Sequence, residues 1–236
     1  MFKRDHHVRI ATILQALDAE ELLSKGCLFG GGTAIVLSFG EYRESVDIDL
    51  MISDLSFYRD MRLKIKEANS LSPIVRKNLS LNLSREIRAD QYGIRTMIDQ
   101  GGSEIKFEIV FEGRVKFQPP GPDDNICGIS TLSKLDMATS KLLANSDRWA
   151  DDSVFSRDLI DLAMLNLPTG TFRQALEKAA LAYGGAVETD LIKAIESLKN
   201  RKGRLNHCMS TLKMDSTPEA LLWEKIRSLR KKCARS

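Results

Sequence analysis

The sequence has only four cysteines, and no two of them lie at the CxxC spacing typical of zinc and redox sites. They are Cys27, Cys127, Cys208 and Cys233. Scattered thiols argue against a zinc site or a disulfide framework and are typical of a reducing cytoplasm. His6 and His7 are adjacent, a poor metal pair on a helix, and we expect them to be solvated in the N-terminal turn. Because HExxH and GxSxG are also missing, the sequence gives little support to a zinc enzyme or a serine hydrolase.

Long apolar runs are missing too. No stretch approaches the roughly 20 apolar residues that a helix needs to cross a bilayer. The N-terminal sequence MFKRDHHVRIATILQAL contains no apolar run long enough for a signal peptide. Apolar residues nevertheless make up 43% of the 236 residues, which is enough for an ordinary buried core. We expect a soluble, cytoplasmic protein with no membrane partner.

Positive charge is concentrated towards the C-terminus. Residues 199–236 contain eleven Lys and Arg against three acidic residues, a balance of +8. Since the whole chain carries +3, residues 1–198 must sum to −5. This asymmetry is compatible with a polyanionic partner such as RNA, and equally with a solvated helix face.

The hydrophobic pattern predicts an α+β first half. Apolar residues at helical spacing predict helices at 5–25 (ending at Gly26), 33–39 and 54–69. Continuous or alternating apolar residues predict strands at 27–30, 45–52, 88–98 and 105–112. The QGGS sequence between the last two strands predicts a hairpin turn.

The second half is predicted to be helical. It begins after the PPGPDD loop at 119–124 and one short possible strand, ICGIS. Helices are expected at 131–146, 153–165, 170–183, 187–199 and 218–233. We place the domain boundary after the loop, which gives an α/β core with an N-terminal helix at 1–125 and a helical region at 126–236.

Three glycines precede the predicted helix that begins at Thr33: Gly30, Gly31 and Gly32. Glycine permits positive φ and close approach of the backbone to a ligand, and the bare N–H groups of a helix N-terminus bind phosphate. Neither the GK[ST] of a Walker loop nor the GxGxxG spacing of a dinucleotide site is present. The glycines therefore indicate either a phosphate-binding turn or a tight strand-to-helix connection without a ligand.

Two aspartates follow in SVDIDLMI. On a strand, Asp47 and Asp49 share one face, and their α-carbons lie roughly 6 to 7 Å apart. That separation lets both carboxylates reach one or two hard cations such as Mg²⁺, and two metals can bracket the reacting oxygens in phosphoryl transfer. A bare DxD is also common on the polar face of a half-exposed strand.

A third carboxylate comes from the strand IKFEIVFE, in which Lys106, Glu108 and Glu112 occupy the polar face. If this strand neighbours SVDIDLMI, Glu108 completes a carboxylate triad with Asp47 and Asp49. Simple strand amphipathicity explains the same pattern.

Charged residues recur at helical spacing in SKLLANSDRW and SRDLIDLAML. Lys141 and Arg148 lie two turns apart on one face, and Asp158 and Asp161 lie three residues apart on another helix. The cations could clamp triphosphate oxygens. Alternatively, Arg148–Asp158 ion pairs hold the two helices together.

Taken together, these residues resemble the AbiEii/AbiGii-type nucleotidyltransferase toxins of type IV toxin–antitoxin and abortive-infection systems. That family belongs to the DNA polymerase β-like nucleotidyltransferase superfamily. The resemblance covers roughly residues 27–165. Its first motif corresponds to Gly31, Gly32, Thr33, Arg43, Ser45, Asp47 and Asp49. Its later motifs correspond to Lys141, Leu142, Ala144, Arg148, Arg157, Asp158 and Asp161.

The resemblance implies a polymerase β-like core with a mixed sheet, which transfers a nucleoside monophosphate from an NTP with Mg²⁺ or Mn²⁺. With Glu108 added from the strand pattern, the implied catalytic residues are Asp47, Asp49, Glu108, Lys141 and Asp161. The first three of these would bind the metal. The implied nucleotide-binding residues are Gly31, Gly32, Thr33, Arg43, Ser45, Arg148 and Asp158. Members of the family have been linked to GTP binding and to nucleotide addition at tRNA 3′ ends.

Three functions stay open at this point. The first is a toxin that modifies RNA, most plausibly tRNA, and has a cognate antitoxin. The second is a catalytically weak GTP-binding regulator on the same fold. The third is a transferase that modifies a protein or a small molecule. The basic C-terminal segment weakly favours RNA over a small molecule.

Overall fold

The computed structural model describes residues 2–233, which divide into two compact units. The first unit comprises the described residues up to Leu37 together with Val46–Ser133. The second comprises Ser38–Ser45 and the described residues from Lys134 onward. The boundary between the two units therefore lies after Ser133 rather than after residue 125, where it was predicted. The second unit also includes the short internal segment Ser38–Ser45.

The first unit alternates helices with strands. Its elements are α1 Asp5–Ala16, α2 Ala19–Ser24, β1 Leu28–Gly30, α3 Gly31–Ser38, β2 Ile48–Ile52, α4 Leu55–Ala68, β3 Arg88–Ala89, β4 Gly93–Asp99, β5 Glu104–Phe111, β6 Asn125–Ile126 and β7 Ile129–Ser130. The last residue of α3 begins the Ser38–Ser45 segment.

A mixed sheet organises this unit, with the strand order β1-β2-β5-β4-β3. Strands β2 and β5 are parallel, and the other pairs in the sheet are antiparallel. Alternation places large apolar side chains on one face, where they are fully buried: Ile48, Leu50, Ile52, Ile94, Ile98, Ile105, Phe107 and Ile109. The α+β fold with a mixed sheet is thus confirmed.

The QGGS sequence forms the predicted hairpin between β4 and β5. Gly101 and Gly102 both have positive φ, +62° and +76°, as a two-residue type I′ turn requires. The turn fixes the register, so that Asp99 lies opposite Glu104 and Arg95 lies opposite Glu108.

Three predicted elements of this unit have different bounds. The strand expected at 88–98 is divided into β3 and β4, which residues 90–92 separate. The helix expected at 5–25 is broken, because Leu17 is extended and Asp18 caps a new helix by accepting a hydrogen bond from the Glu21 N–H at 3.1 Å. The strand expected at 45–52 begins only at Ile48, and Val46 is exposed rather than buried with the core face. Ser45 and Asp47 therefore lie before the strand.

Both adjacent histidines were expected to be solvated, and this is wrong for His7. His7 is fully buried. His6 is exposed, and its Nε2 lies 3.0 Å from the carbonyl oxygen of Val46. The buried side of α1 also carries Ile10, Ile13 and Leu14. Because His7 lies three residues before Ile10, it falls on that apolar face.

The second unit is helical. Its helices are α5 Lys134–Arg148, α6 Arg157–Leu165, α7 Thr169–Tyr183, α8 Ala186–Asn200, α9 Arg204–Thr211 and α10 Glu219–Cys233. Helix α5 packs against α6, α7 and α8, and α10 packs against α6, α7 and α8. Helix α9 was not predicted, because it is short and lies between two positions with positive φ, Gly203 and Lys213. Among the described helices, none combines the length and the apolar character needed to span a membrane.

Candidate active site

The glycine turn of the first unit lies directly against a carboxylate. Strand β1 ends at Gly30, which pairs with Asp49 of β2. The next residue, Gly31, has φ +67°, and a Cβ added to it would lie 2.2 Å from Asp49 Oδ2. The Asp49 carboxylate therefore occupies the space that any other side chain at residue 31 would need.

The neighbouring residues of the turn have other reasons for being small or buried. A Cβ on Gly30 would lie 2.7 Å from Met51 Sδ and 2.9 Å from Leu132 Cδ1, so this glycine permits core packing. Gly32 is half-buried in the first turn of α3, and Thr33 is buried behind it. The tight-connection alternative thus accounts for Gly30, and phosphate binding by Gly31, Gly32 and Thr33 stays a prediction.

Asp49 has a second carboxylate beside it. The parallel pairing of β2 with β5 places Asp49 opposite Glu108, so both side chains lie on the sheet face away from the core residues. The condition set for the carboxylate triad, that the two strands be neighbours, is therefore met. Glu108 Oε1 accepts a hydrogen bond from Arg95 Nε at 2.8 Å, and Oε2 accepts one from Lys106 Nζ at 2.5 Å. Both oxygens of Glu108 therefore already bind cations of the protein.

Two of the three proposed carboxylates are suitable donors for a divalent cation. Asp47 and Asp49 are both half-buried, and carboxylate oxygens are the ligands that Mg²⁺ and Mn²⁺ prefer. Within residues 2–233, however, no three His, Cys, Asp or Glu side chains converge as a metal site. Two aspartates thus provide suitable donors, and Glu108 as a third ligand stays a prediction because Arg95 and Lys106 hold its oxygens.

The second unit contains a buried ion pair made by the Ser38–Ser45 segment. Arg43 donates from Nε and Nη2 to the two carboxylate oxygens of Asp161 on α6, each at 2.8 Å. Tyr42 donates its hydroxyl to Asp161 Oδ1 at 2.7 Å. All three side chains are buried. This bidentate pair fixes a segment near residue 43 to a helix 118 residues further along the chain.

Helix α5 completes this cluster. Lys141 Nζ lies 2.9 Å from Asp158 Oδ1 and 2.7 Å from Asp161 Oδ2. Arg148 donates from Nε and Nη2 to Asp158 at 2.7 and 3.0 Å. Lys141 and Arg148 therefore do lie on one face of α5, and the Arg148–Asp158 pair does link α5 to α6. Their action on triphosphate oxygens stays a prediction.

Electrostatics keep the cluster charged. Burial raises the pKa of Asp161, but Arg43 and Lys141 outweigh it and hold that pKa below its ordinary value. Burial also raises the pKa of Asp158, and Lys141 and Arg148 again lower it further than burial raises it. Burial lowers the pKa of Lys141, whereas the two aspartates raise it to a net value above normal.

The charge balance of the cluster follows from these protonation states. Three cations (Arg43, Lys141, Arg148) face two anions (Asp158, Asp161), so the five side chains carry +1. Burial and the nearby Asp161 raise the pKa of Tyr42 well above its ordinary value, so its hydroxyl stays a neutral donor.

Sequence reasoning did not predict the contacts that three residues make with the candidate site. Arg95 could have been found, because counting pairs back from the two-residue QGGS turn places it opposite Glu108. Alternation had already placed Lys106 on the same face of β5 as Glu108, but the contact between them was not predicted. Tyr42 stands beside Arg43 in the sequence, but nothing in the pattern indicates that its hydroxyl reaches Asp161.

The chain is similar to a known protein family and to two solved structures. The sequence profile described as "Nucleotidyl transferase AbiEii toxin, Type IV TA system" matches residues 12–231. The fold is similar to the crystal structure of a candidate nucleotidyltransferase from H. pylori, with a TM-score of 0.51, 16% identity and coverage of 98% of this chain and 97% of that one. The JHP933 protein from Helicobacter pylori gives a TM-score of 0.49 at 17% identity, over 99% and 95% of the two chains. No curated protein sequence matches significantly.

Proposed function

Because the chain belongs to the family of AbiEii nucleotidyltransferase toxins of type IV toxin–antitoxin systems, we propose that it transfers a nucleoside monophosphate from an NTP to the 3′ end of tRNA. The observation that carries this proposal is the Asp49 carboxylate, which lies on the Gly31 turn and beside Glu108. A carboxylate beside a glycine turn at a helix N-terminus places a metal donor next to backbone N–H groups of the kind that bind phosphate.

Asp47 and Asp49 are the proposed ligands of Mg²⁺ or Mn²⁺, and Glu108 is the proposed third ligand. The cation, when bound, would neutralise phosphate charge and lower the pKa of a coordinated hydroxyl. The chain's own contribution in the first unit is to hold Asp49 in register against Gly31. Gly31, Gly32 and Thr33 are proposed to donate backbone N–H groups to the triphosphate.

The buried cluster of the second unit has proposed roles of its own. Lys141 and Arg148 supply positive charge for phosphate oxygens, and Arg43 and Ser45 belong to the nucleotide-binding set. Asp158 and Asp161 orient these cations, which the observed distances of 2.7 to 3.0 Å support. Because the cluster carries +1, it retains an attraction for anions even with its internal ion pairs made.

RNA is the proposed acceptor because of where the positive charge lies. Residues 199–236 carry +8 against −5 for the rest of the chain. Within the described part, the last turn of α10 carries Arg230, Lys231 and Lys232. A polyanion longer than a nucleotide is the partner that such a segment attracts most strongly. Cytoplasmic tRNA meets this requirement, and the family implies a cognate antitoxin as a further partner.

The test is transfer of label. The purified chain is incubated with each α-labelled NTP, a divalent cation and total tRNA, and Asp49→Ala is the matched variant. We expect label in RNA with the wild type and none with Asp49→Ala. Equal label with both proteins would contradict the proposed role of the carboxylate.

A second candidate function is an NTP-binding regulator without transfer. The observation that favours it is that Arg95 and Lys106 hold both oxygens of Glu108. NTP binding measured by calorimetry, together with no label in RNA, protein or small molecules, would establish the regulator and reject the transferase proposal.

A further inference from the structure

Helices α8 and α10 form an open groove of about 690 Å³, and four of the seven described residues that line it are cationic. We call it the C-terminal groove, and its lining residues are Ile195, Lys199, Ala220, Trp223, Arg227, Arg230 and Lys231. All belong to the second unit. Among the described residues, none that lines the groove is acidic.

The sequence of α10 builds this surface by helical spacing. Ala220, Trp223, Arg227 and Arg230 follow one another at steps of three, four and three residues, which places them on one face. A separate stripe of α10 is buried in the core: Leu222, Ile226, Leu229 and Cys233. The helix is therefore anchored by one face and presents a tryptophan between cations on the other.

The positive charge of the C-terminal groove is only partly balanced. Glu196 on α8 pairs with Lys199 at 3.7 Å and also with Arg230. Arg227 donates from Nε to the Trp223 carbonyl oxygen at 3.3 Å, and no carboxylate within the described part of the chain forms an ion pair with it. Lys231 has no ion pair with any described residue. Four cations against Glu196 leave a balance of +3.

We propose that the C-terminal groove binds a single-stranded segment of RNA, with phosphates on Arg227 and Lys231 and a base stacked on Trp223. A half-exposed indole gives a π-face that any base can use, and arginine and lysine beside it contact the backbone. This inference rests on the proposed function in one respect, since it takes the bound RNA segment to be part of the acceptor RNA. An acidic peptide is the competing occupant, and the test includes it.

The first measurement is fluorescence anisotropy with a labelled single-stranded RNA of about a dozen nucleotides, a length within the site sizes of known single-strand binders. Trp223→Ala is expected to weaken binding at least fivefold, while Trp223→Phe keeps a stacking ring and most of the affinity. Thermal unfolding of both variants checks that the fold is intact.

The second measurement is the dependence of affinity on salt. For the double variant Arg227→Ala with Lys231→Ala, the slope of log K against log salt should fall by about 1.4, because each lost phosphate contact on a single strand contributes about 0.7. Trp223→Ala should leave that slope unchanged. Lys225→Ala is the matched control, since it removes one charge from α10 without altering the groove lining.

Three results would overturn the C-terminal groove as an RNA site. The first is unchanged affinity in the groove variants. The second is an effect of Lys225→Ala on the salt slope as large as that of the double variant. The third is a poly-glutamate peptide that competes as strongly as RNA of equal charge. The proposed function fails separately. If the wild type binds RNA through the groove but transfers no label, transfer is rejected and the groove stands. If it labels tRNA and the groove variants keep the same KM for tRNA, the groove is rejected and transfer stands.

Discussion

The Asp49 carboxylate fills the space where a side chain on Gly31 would begin, with Oδ2 only 2.2 Å from the position of a Cβ. Gly31 also has φ +67°. The residue is thus constrained twice, once by its backbone and once by the neighbouring acid.

We expect Gly31→Ala to displace Asp49 and to lower nucleotidyl transfer by about 100-fold, the order of loss that a misplacement of 1 Å can cause. The backbone strain should also lower the free energy of unfolding by about 1 to 2 kcal/mol. Transfer assays and urea unfolding measure the two effects. The matched control is Gly26→Ala, with a similar φ of +59° but no atom within 4 Å of its Cβ. It should lose stability and keep transfer; equal losses of transfer in both variants would reject the role of the Asp49 contact.

Asp47→Asn should abolish transfer and leave the thermal midpoint nearly unchanged, because a half-buried carboxylate outside the core contributes little to folding. Calorimetric titration with Mn²⁺ should show weaker binding than in the wild type. Asp123→Asn, an exposed aspartate in the loop before β6, serves as the control and should bind Mn²⁺ normally. Unfolding of Asp47→Asn would show instead that this aspartate is structural.

Glu108→Gln tests whether the third carboxylate is a ligand or only an ion-pair partner. As a ligand its loss should reduce transfer at least tenfold, while stability falls by only about 1 kcal/mol because Arg95 and Lys106 are partly exposed. Arg95→Gln removes one of the two ion pairs of Glu108 and keeps the carboxylate, so it should retain transfer. If the two variants lose activity equally, Glu108 acts through its ion pairs.

Lys141→Met should destabilise the chain by about 3 kcal/mol, because it leaves two buried aspartates with less compensation. Lys64→Met is the matched control, since Lys64 makes solvent-exposed ion pairs with Asp60 and Glu21, and its loss should destabilise the chain far less than the loss of Lys141. Urea unfolding of both variants gives the comparison. A loss below 1 kcal/mol for Lys141→Met would show that the cluster adds little to folding.

The cluster also predicts how stability depends on pH. The pKa values of Asp158 and Asp161 are lowered in the folded chain, so the unfolded chain binds protons first as pH falls. Their contribution is therefore complete above the ordinary aspartate pKa of about 4 and is lost as pH falls from there towards the folded values. Urea unfolding at pH 7, 4 and 3 should show this loss. Asp161→Asn should be less stable at pH 7 and should show a smaller change between pH 4 and 3.

Much of the fold could be predicted because its signals are local. The hairpin at QGGS, the helix α4 and the positive φ of Gly26 and Gly40 all follow from turn chemistry and periodicity. The break at Leu17 was missed because a single capping aspartate interrupts a continuous helical pattern. The late start of β2 was missed because the alternation of SVDIDLMI continues beyond the residues that pair.

The candidate site was harder to predict, because its contacts are distant in sequence. The pairing of Asp49 with Glu108 needed one assumption about strand order, which the structure bears out. The bonds of Asp161 to Tyr42 and Arg43 span more than a hundred residues. No spacing rule indicates them, since a carboxylate on α6 could pair with any cation that tertiary packing brings near. Motif resemblance identified Arg43 and Asp161, but neither Tyr42 nor the contacts among the three residues.

The ion pair between Arg43 and Asp161 has a consequence for how the chain is made. A ribosome adds about 5 to 20 residues per second, so Arg43 waits roughly ten seconds before the codon of its partner, 118 residues later, is read. Until then the segment that leads into β2 has no anchor in a completed unit. We expect a chain truncated before Asp161 to show fast protease cleavage near residues 38–45, and the full chain to resist it. Asp47 and Asp49 therefore follow a segment whose partner on α6 is synthesised 118 residues later.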